Sequence, residues 1–270
     1  MKNYLFVLFF LSQIFAQYDQ VFVGSRPLSM GGAFSAVADD ANAIVWNPAG
    51  LPGLRRTEFT STFADLYDLG INHSYIGFVR PFSDQIAIGF DWSNIGFDDK
   101  ELGYSENKLN FSIGIQPHKI FSVGLNVKYL MRDMLLNETS YGKSNGIGRD
   151  LGVIIKPSKN VKMGLGVYDI GGTSVSYKDR TEETILGQAF RLGISYMPIN
   201  GLTLAADFSD RFHLGAEYIL GSRVSFRAGL QQGLNSNNEK DVLIPSAGMS
   251  LKFKSIVMEY GFESHPYLNP

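Results

Sequence analysis

Polar and apolar residues alternate along almost the whole chain from residue 56 onward. In residues 121–129 the odd positions are Phe, Val, Leu, Val and Tyr, whereas the even positions are Ser, Gly, Asn and Lys. Successive side chains of a β-strand point to opposite faces, so this period of two gives each strand one apolar face and one polar face. The pattern predicts an all-β protein.

Thirteen segments carry the alternation and are predicted to be strands. Most have about 9–11 residues, the length that crosses a bilayer when the strand is tilted. Their connections alternate between short turns and longer loops, the longer ones at 98–104, 135–146, 171–185 and 234–241. This is typical of an antiparallel up-and-down barrel with unlike ends. The predicted strands are 56–67, 72–82, 85–97, 106–117, 121–134, 147–157, 160–170, 186–197, 202–209, 211–220, 223–233, 242–253 and 255–264.

A proline-containing phrase returns at each of several short turns. A strand ends at the proline, a tight polar turn follows, and the next strand has a glycine near its start. The prolines recur about every 40 residues, the length of two strands with one short turn and one longer loop. They are Pro81, Pro117, Pro157 and Pro198, and the first three are followed by Gly89, Gly124 and Gly164.

The same alternation is compatible with a soluble β-sandwich or a lipocalin-like barrel. In that alternative thirteen apolar faces would have to share one interior. The polar faces are rich in Gly, Ser, Asn, Lys and Arg, which suits a wide, wet lumen and leaves the apolar faces to lipid. A mean hydropathy of −0.02 does not exclude this, because alternation hides the apolar face. The sequence therefore favours a transmembrane β-barrel.

Composition narrows the function classes further. The formal net charge is −2, so no basic excess indicates nucleic acid, and the absence of Cys excludes disulfides and thiolate metal sites. The four histidines are scattered, and neither a Gly-x-Ser-x-Gly motif nor a P-loop occurs. We predict that the protein is not an enzyme and uses neither a cofactor nor a metal.

The first sixteen residues have the pattern of a secretory signal peptide. Lys2 precedes an apolar stretch, and Ala16 supplies a small residue before the predicted cleavage. The sequence thus predicts three parts: a signal peptide at 1–16, an N-terminal segment at 17–54 and the barrel at 55–270.

The N-terminal segment departs from the strand pattern. It contains Met-Gly-Gly-Ala-Phe-Ser-Ala-Val-Ala-Asp-Asp-Ala-Asn-Ala at 30–43 and Trp-Asn-Pro-Ala-Gly-Leu at 46–51. Asp39, Asp40 or Asn42 is suited to cap a short helical turn that Asn47-Pro48 would end. This stretch resembles the N-terminal signature of the FadL superfamily of long-chain fatty acid transporter-like barrels. More narrowly, it is similar to the PorV/PorQ branch.

The resemblance implies a 14-stranded outer-membrane barrel whose N-terminal segment folds into the lumen as a hatch. The implied hatch residues are Met30, Gly31, Gly32, Ala33, Asp39, Asp40, Asn47, Pro48, Ala49 and Gly50. Charges on the predicted inward faces would form a paired ladder that clamps the hatch or, alternatively, line a solute path. They are Asp91, Lys108, Lys128, Arg191, Asp207, Arg211, Glu217, Arg227 and Glu259. The glycine pair Gly164 and Gly166 is expected to pack against the hatch.

Three functions follow from this resemblance. The first is a PorV/PorQ-like role in protein export, with a type IX translocon or secreted cargo as partner. The second is FadL-like uptake of hydrophobic small molecules such as long-chain fatty acids, and the third is a structural barrel without transport. All three place the protein among outer-membrane lipids, and none involves nucleic acid. Only thirteen strands are visible before Pro270, so we expect one further strand to complete an even number.

Overall fold

The computed structural model describes residues 23–66, 70–98, 102–136, 139–177, 180–233 and 243–264. The predicted signal peptide lies outside these ranges. Three short helices come first: α1 at Ser25–Ser29, α2 at Ala43–Trp46 and a 3-10 helix at Pro48–Gly53. Fifteen strands follow. They are β1 Glu58–Leu66, β2 Ile71–Pro81, β3 Ile86–Asp98, β4 Leu102–His118, β5 Phe121–Leu136, β6 Thr139–Ile155, β7 Val161–Tyr168, β8 Thr173–Tyr177, β9 Arg180–Leu186, β10 Ala189–Ile199, β11 Leu202–Phe208, β12 Arg211–Leu220, β13 Val224–Gly233, β14 Leu243–Phe253 and β15 Ile256–Glu263.

Thirteen of these strands form one continuous antiparallel path from β1 to β15, each paired with the next. The path skips only β8 and β9, a hairpin that pairs with the early part of β6 through Ser144↔Tyr177 and Gly146↔Val175. In the part of the chain that the structure describes, β1 and β15 are the two ends of the path. The meander is the predicted up-and-down topology.

The thirteen predicted strands correspond one to one with the thirteen strands of the path. Three predicted loops were partly wrong, because β4 begins at Leu102, β6 begins at Thr139, and the loop at 171–185 contains β8 and β9. At 139–146 polar residues and glycines occupy both faces, and at 173–177 the alternation covers only five residues, too few to indicate a separate strand.

The surface of the sheet is inverted relative to that of a soluble protein. Large apolar side chains of the strands are exposed, including Phe63, Phe111 and Leu192, whereas polar ones such as Asp91, Asn126 and Glu217 are buried. An exposed apolar band with a polar interior is the arrangement of a membrane barrel, because lipid covers the outer face. The helices found in the described ranges are all too short to span a bilayer.

The recurring prolines lie at one end of the sheet. Pro81, Pro117 and Pro198 are the last or nearly the last residues of β2, β4 and β10, and Pro157 follows β6. The strand register shifts near Pro117 and near Pro198. Proline lacks an amide hydrogen for the strand ladder, so it is placed where pairing ends.

Residues 23–54, which we call the inner segment, pack against the polar faces of the strands. The principal buried hydrophobic cluster lies mostly in this segment, with Met30, Phe34, Ile44 and Trp46 at most 2% exposed. Its helices contact β2–β6 on one side and β13–β15 on the other. The hydrophobic core of this protein is therefore supplied by the residues that precede the first strand.

Candidate functional site: the inner segment and the strand faces around it

The Met-Gly-Gly turn is held by strands from the far half of the sheet. Gly31 and Gly32 have φ values of 61° and 76°, a left-handed conformation that glycine adopts without steric cost. The Gly31 amide donates to Ser246 Oγ at 3.0 Å, and its carbonyl accepts from His213 Nδ1 at 2.7 Å. The Gly32 carbonyl accepts from Arg191 Nη1 at 2.9 Å. The turn is thus anchored on three strands.

Asp207 of β11 binds the next two amides of the segment. Its Oδ2 accepts from the Phe34 amide at 3.2 Å and from the Ser35 amide at 2.9 Å. These buried backbone groups lie outside any helix or strand, so the carboxylate replaces the partners that regular structure would provide.

Asn47 joins the segment to β6 and to itself. Its side chain is fully buried, and Nδ2 donates to the Ser35 carbonyl at 2.8 Å and to the Val153 carbonyl at 3.2 Å. Oδ1 accepts from the Ala49 amide at 3.1 Å and so caps the 3-10 helix that begins at Pro48. One side chain therefore fixes a loop, a helix start and a strand.

Glycines on the inward strand faces leave room for the segment. Gly114, Gly124, Gly152 and Gly166 face one another directly across β4–β7. A Cβ atom at Gly114 would lie 2.7 Å from the Pro48 carbonyl oxygen, and one at Gly124 or Gly152 would collide with Pro48 or Asn47. The segment can approach the strand backbone at Gly114, Gly124 and Gly152 only because these positions have no side chain, whereas a Cβ at Gly166 would meet the Tyr168 ring.

The glycines of the recurring proline phrase belong to the same contact surface. A Cβ at Gly89 would lie 2.7 Å from Ile44 Cγ1, and one at Gly164 would collide with the Ser35 carbonyl. Gly215 and Gly229, which are paired between β12 and β13, lie against Met30 and Gly31 in the same way.

Cationic and aromatic groups hold the centre of the segment. The Arg191 guanidinium lies 5.0 Å from the centroid of the Trp46 ring, and the Arg26 guanidinium lies 5.2 Å from that of Phe34. The two rings meet edge to face with centroids 6.0 Å apart. Tyr168 of β7 donates its hydroxyl to the Trp46 carbonyl. Such contacts bury apolar surface and also favour one relative orientation of the groups.

Arg26 is the centre of a charge network between the segment and β12–β15. It binds Glu217 through two hydrogen bonds of 2.9 and 2.7 Å, and it contacts Asp39 at 2.7 Å and Asp40 at 2.8 Å. Glu217 also accepts from Arg227 at 2.6 Å, and Arg227 lies 3.0 Å from Glu259. Two hydrogen bonds from one Arg to one carboxylate fix the relative orientation of the two groups as well as pairing their charges.

Asp39 and Arg26 perturb each other electrostatically. Burial alone would raise the pKa of Asp39, but the charges of Arg26 and Lys162 outweigh it and lower this pKa to about 2. Burial alone would lower the pKa of Arg26, and its three carboxylate partners raise it above the ordinary value instead. The Asp39 side chain is 44% exposed, so solvent screens much of this interaction.

A second network ties β5 and β6 to the start of the β7–β8 connection. Lys128 lies 2.7 Å from both Asp150 and Asp169, and Asn126 donates to Asp150 at 3.1 Å. Asn126 also donates to the Ile44 carbonyl at 2.7 Å, which connects this network to α2. All three charged groups are almost completely buried, so each depends on the others for its partners.

The nine predicted lumen charges divide into three groups of three. Arg191, Asp207 and Glu217 bind the inner segment directly, and Arg227, Glu259 and Lys128 belong to the networks just described. Asp91 is buried on β3 and accepts from Asn110. Lys108 is half-buried on β4, and Arg211 lies 3.9 Å from its neighbour Asp210. Six of the nine therefore contact the inner segment or belong to the networks described above.

The predicted hatch residues all lie in the inner segment, and eight of the ten are buried. One detail differs from expectation: Asp40 contacts Arg26 of the segment itself and not a strand cation, while Asp39 reaches both Arg26 and Lys162 of β7. Sequence reasoning missed the central role of Arg26, since one arginine before a proline has no distinguishing pattern. It also missed His213, whose Nε2 lies 3.1 Å from Ser209 Oγ.

On β2 and β3, the apolar side chains at described inward positions lie together at one place. Tyr75, Val79 and Ala87 are fully buried there and join the hydrophobic cluster of the segment. They lie where α2 and the 3-10 helix meet these two strands. Among the described residues, no hydrogen bond joins the inner segment to β2 or β3. We call this contact the apolar seam.

No protein-family model matches the sequence, and no curated protein matches it either. Solved structures do match. The chain is similar to the CymD monoaromatic hydrocarbon channel, with a TM-score of 0.68, 15% identity, and coverage of 92% of this chain and 94% of that one. It is similar to a Pseudomonas aeruginosa FadL homologue (TM-score 0.61, 11% identity, 92% of each chain). It is also similar to the Pseudomonas putida toluene transporter TodX (TM-score 0.62, 11% identity, 90% and 91%). The protein has the fold of the FadL-like outer-membrane barrels.

Proposed function

We propose that the protein is an outer-membrane channel for hydrophobic small molecules and that the inner segment is its hatch. The observation that carries the proposal is the apolar seam, the side on which the described contacts between the inner segment and the wall include no hydrogen bond. A hydrophobic solute that moved along a polar, charged wall would leave buried polar groups without hydrogen-bond partners. That would cost several kcal/mol of free energy. Along Val79 and Ala87 it would meet apolar side chains of the wall and of the segment.

The seam is also the side on which the segment is most easily parted from the wall. Elsewhere it is held by hydrogen bonds to Asp207, Arg191, Val153 and Asn126. At β2 and β3 the described contacts are apolar, and a sliding apolar contact has no directional bond to break. A passing solute would replace protein atoms with its own.

The structural neighbours support the same class of solute. CymD is described as a monoaromatic hydrocarbon channel and TodX as a toluene transporter. Their matches cover at least nine-tenths of each chain, so they include at least part of the inner segment as well as the strands. Fold alone does not fix function, and the proposal therefore needs a direct test.

Uptake of radiolabelled toluene and oleate by cells that carry the chain, compared with cells that lack it, tests the proposal. Val79→Thr keeps the shape of the seam and adds a hydroxyl, so uptake should fall. The matched control is Val127→Thr, which makes the same change on the lipid-facing side, where Val127 is half exposed. Equal uptake with and without the chain, or equal loss in both variants, would refute the channel.

A second candidate is the PorV/PorQ-like role in protein export, with translocon or cargo proteins as partners. It is favoured by the signature at 30–51, which resembles that branch. Cross-linking in native outer membranes, followed by identification of the captured proteins, tests it. Capture of secretion components together with loss of secreted cargo on gene deletion would favour export, and unchanged secretion would remove this candidate.

A further inference from the structure

The end of the barrel that holds the short turns is strongly basic. It consists of residues 55–58, 80–85, 116–120, 156–160, 197–201, 219–223 and 252–255, and we call it the turn end. By count it has nine Lys or Arg residues and two acidic residues, whereas the whole chain has a net charge of −2. The basic residues are Arg55, Arg56, Arg80, Lys119, Lys156, Lys159, Arg223, Lys252 and Lys254.

In the part of the chain that the structure describes, two of these nine cations have an acidic partner. Arg55 lies 3.1 Å from Asp84 and Arg56 lies 3.5 Å from Glu58, which uses both acidic residues of the turn end. Among the described residues, the other seven form no ion pair. Burial and the neighbouring charges of Lys162 and Arg55 lower the pKa of Lys156, as expected where positive charge is crowded. The turn end therefore lacks counter-charges of its own.

Apolar side chains reach into the same turns. Phe82, Ile120, Ile199, Leu220, Phe253 and Ile256 are all more than half exposed, and they continue the apolar outer band of the strands. Two of the cations lie over such rings: the Arg80 guanidinium is 5.5 Å from the Phe82 centroid, and Lys254 Nζ is 5.7 Å from that of Phe253. Aromatic and basic side chains interleaved in this way are typical of the headgroup layer of a membrane.

We propose that the turn end binds the phosphate groups of anionic phospholipids in the adjoining leaflet. The depth of the cations decides between lipid and protein as the partner. They sit directly beside exposed apolar side chains, which lipid must cover, so they lie at headgroup level. An acidic protein partner would instead dock beyond this layer, in water. The proposal does not depend on which solute or cargo the barrel serves.

The test uses the full chain reconstituted in phosphatidylcholine vesicles with spin-labelled phosphatidylglycerol or spin-labelled phosphatidylcholine as the probe. Electron spin resonance gives the motionally restricted fraction of each label, and hence the selectivity for the anionic lipid. The wild-type chain should select phosphatidylglycerol, and added salt should weaken the selectivity because it screens exposed charges.

The decisive variant is Arg80→Gln with Lys254→Gln, which should lower the selectivity at least about two-fold, since each basic residue near the surface contributes to anionic-lipid binding. The matched control, Lys143→Gln with Arg132→Gln, removes the same two residue types from β6 and β5, away from the turn end, where each cation pairs with a carboxylate (Asp133 and Glu106). It should leave the selectivity unchanged. Arg80→Lys with Lys254→Arg keeps both charges and should also keep the selectivity.

Three results would overturn the proposal. They are unchanged selectivity in the first variant, an equal loss in the control, and a wild-type chain that binds both labels alike. The last result would leave an acidic protein as the partner. Heat-modifiable migration in gels confirms that each variant is folded, and the charge-preserving variant separates lost charge from lost structure.

Discussion

Replacing Asn47 with alanine should loosen the inner segment without changing any lipid-facing residue. The substitution removes the hydrogen bonds to the Ser35 carbonyl, the Val153 carbonyl and the Ala49 amide. Only the bond to Val153 joins the segment to a strand, so at about 0.5–1.5 kcal/mol net for that bond the docked segment should lose about this much free energy. Since 1.4 kcal/mol is a factor of ten, the undocked population should rise roughly 2- to 12-fold.

The absence of cysteine makes this population measurable, because a single introduced thiol has no background. Val37→Cys places a small apolar thiol at a position that is 2% exposed. A membrane-impermeant maleimide would react with it only when the segment opens. When opening and closing are fast, the labelling rate follows the open population, so the rate should rise by the same factor.

Asn107→Ala in the same Val37→Cys background is the control. Asn107 also takes part in three side-chain hydrogen bonds, with Trp92, Asn94 and Ser105, but none of them involves the inner segment. Labelling should therefore stay at the parent rate. If Asn47→Ala and Asn107→Ala label alike, Asn47 does not anchor the segment and the site described above is misassigned.

Three further outcomes are expected. Gly229→Ala would drive a methyl group into the backbone of Gly31, and this overpacking should destabilise the fold by about 1–3 kcal/mol. The temperature of the heat-induced gel shift should therefore fall. Gly233→Ala is the control and should leave that temperature unchanged, because there is open space around Gly233. The pKa of Asp39 is lowered to about 2 in the folded protein. Its contribution to the free energy of unfolding is therefore fully present above its unfolded pKa of about 4 and is lost as the pH falls through 2. Asp39→Asn should abolish that part of the pH dependence of Trp46 fluorescence, an effect below about 1 kcal/mol for an exposed pair. Deleting residues 24–50 should give a barrel that inserts but leaks small solutes, and normal permeability would show that the segment does not occlude it.

The strand path was predictable because lipid imposes a strict rule on it. Residues that face the bilayer are apolar, whereas the residues next to them in the chain face the interior and need not be. The sequence therefore has a period of two. The rule ends where strands leave the bilayer. At 142–146 the chain reads Gly-Lys-Ser-Asn-Gly, polar on both faces, yet it is part of β6. Its pairing there depends on neighbouring strands and not on any local pattern.

The interior was less predictable, and the reason is again physical. A family resemblance indicated which segment would enter the lumen, but it did not indicate which of many inward polar groups would meet it. Arg26 became the hub because α1 places it between Asp39 and Glu217, two residues that are far apart in sequence. The glycines were the better signal, since a glycine on an inward strand position weakens the strand unless a close approach requires it.

The positions of the hydrogen bonds around the inner segment would limit how the proposed channel opens. Complete withdrawal would break twelve of the described hydrogen bonds to strands, and those to Asp207 and Arg191 hold buried charges. At about 1 kcal/mol net for each bond, that cost is comparable with the whole stability of an ordinary domain. A shift confined to the apolar seam breaks none of the described bonds. If the proposed channel function holds, opening should therefore proceed at Val79 and Ala87 while the Met-Gly-Gly turn stays anchored, so that a solute passes and the core is kept.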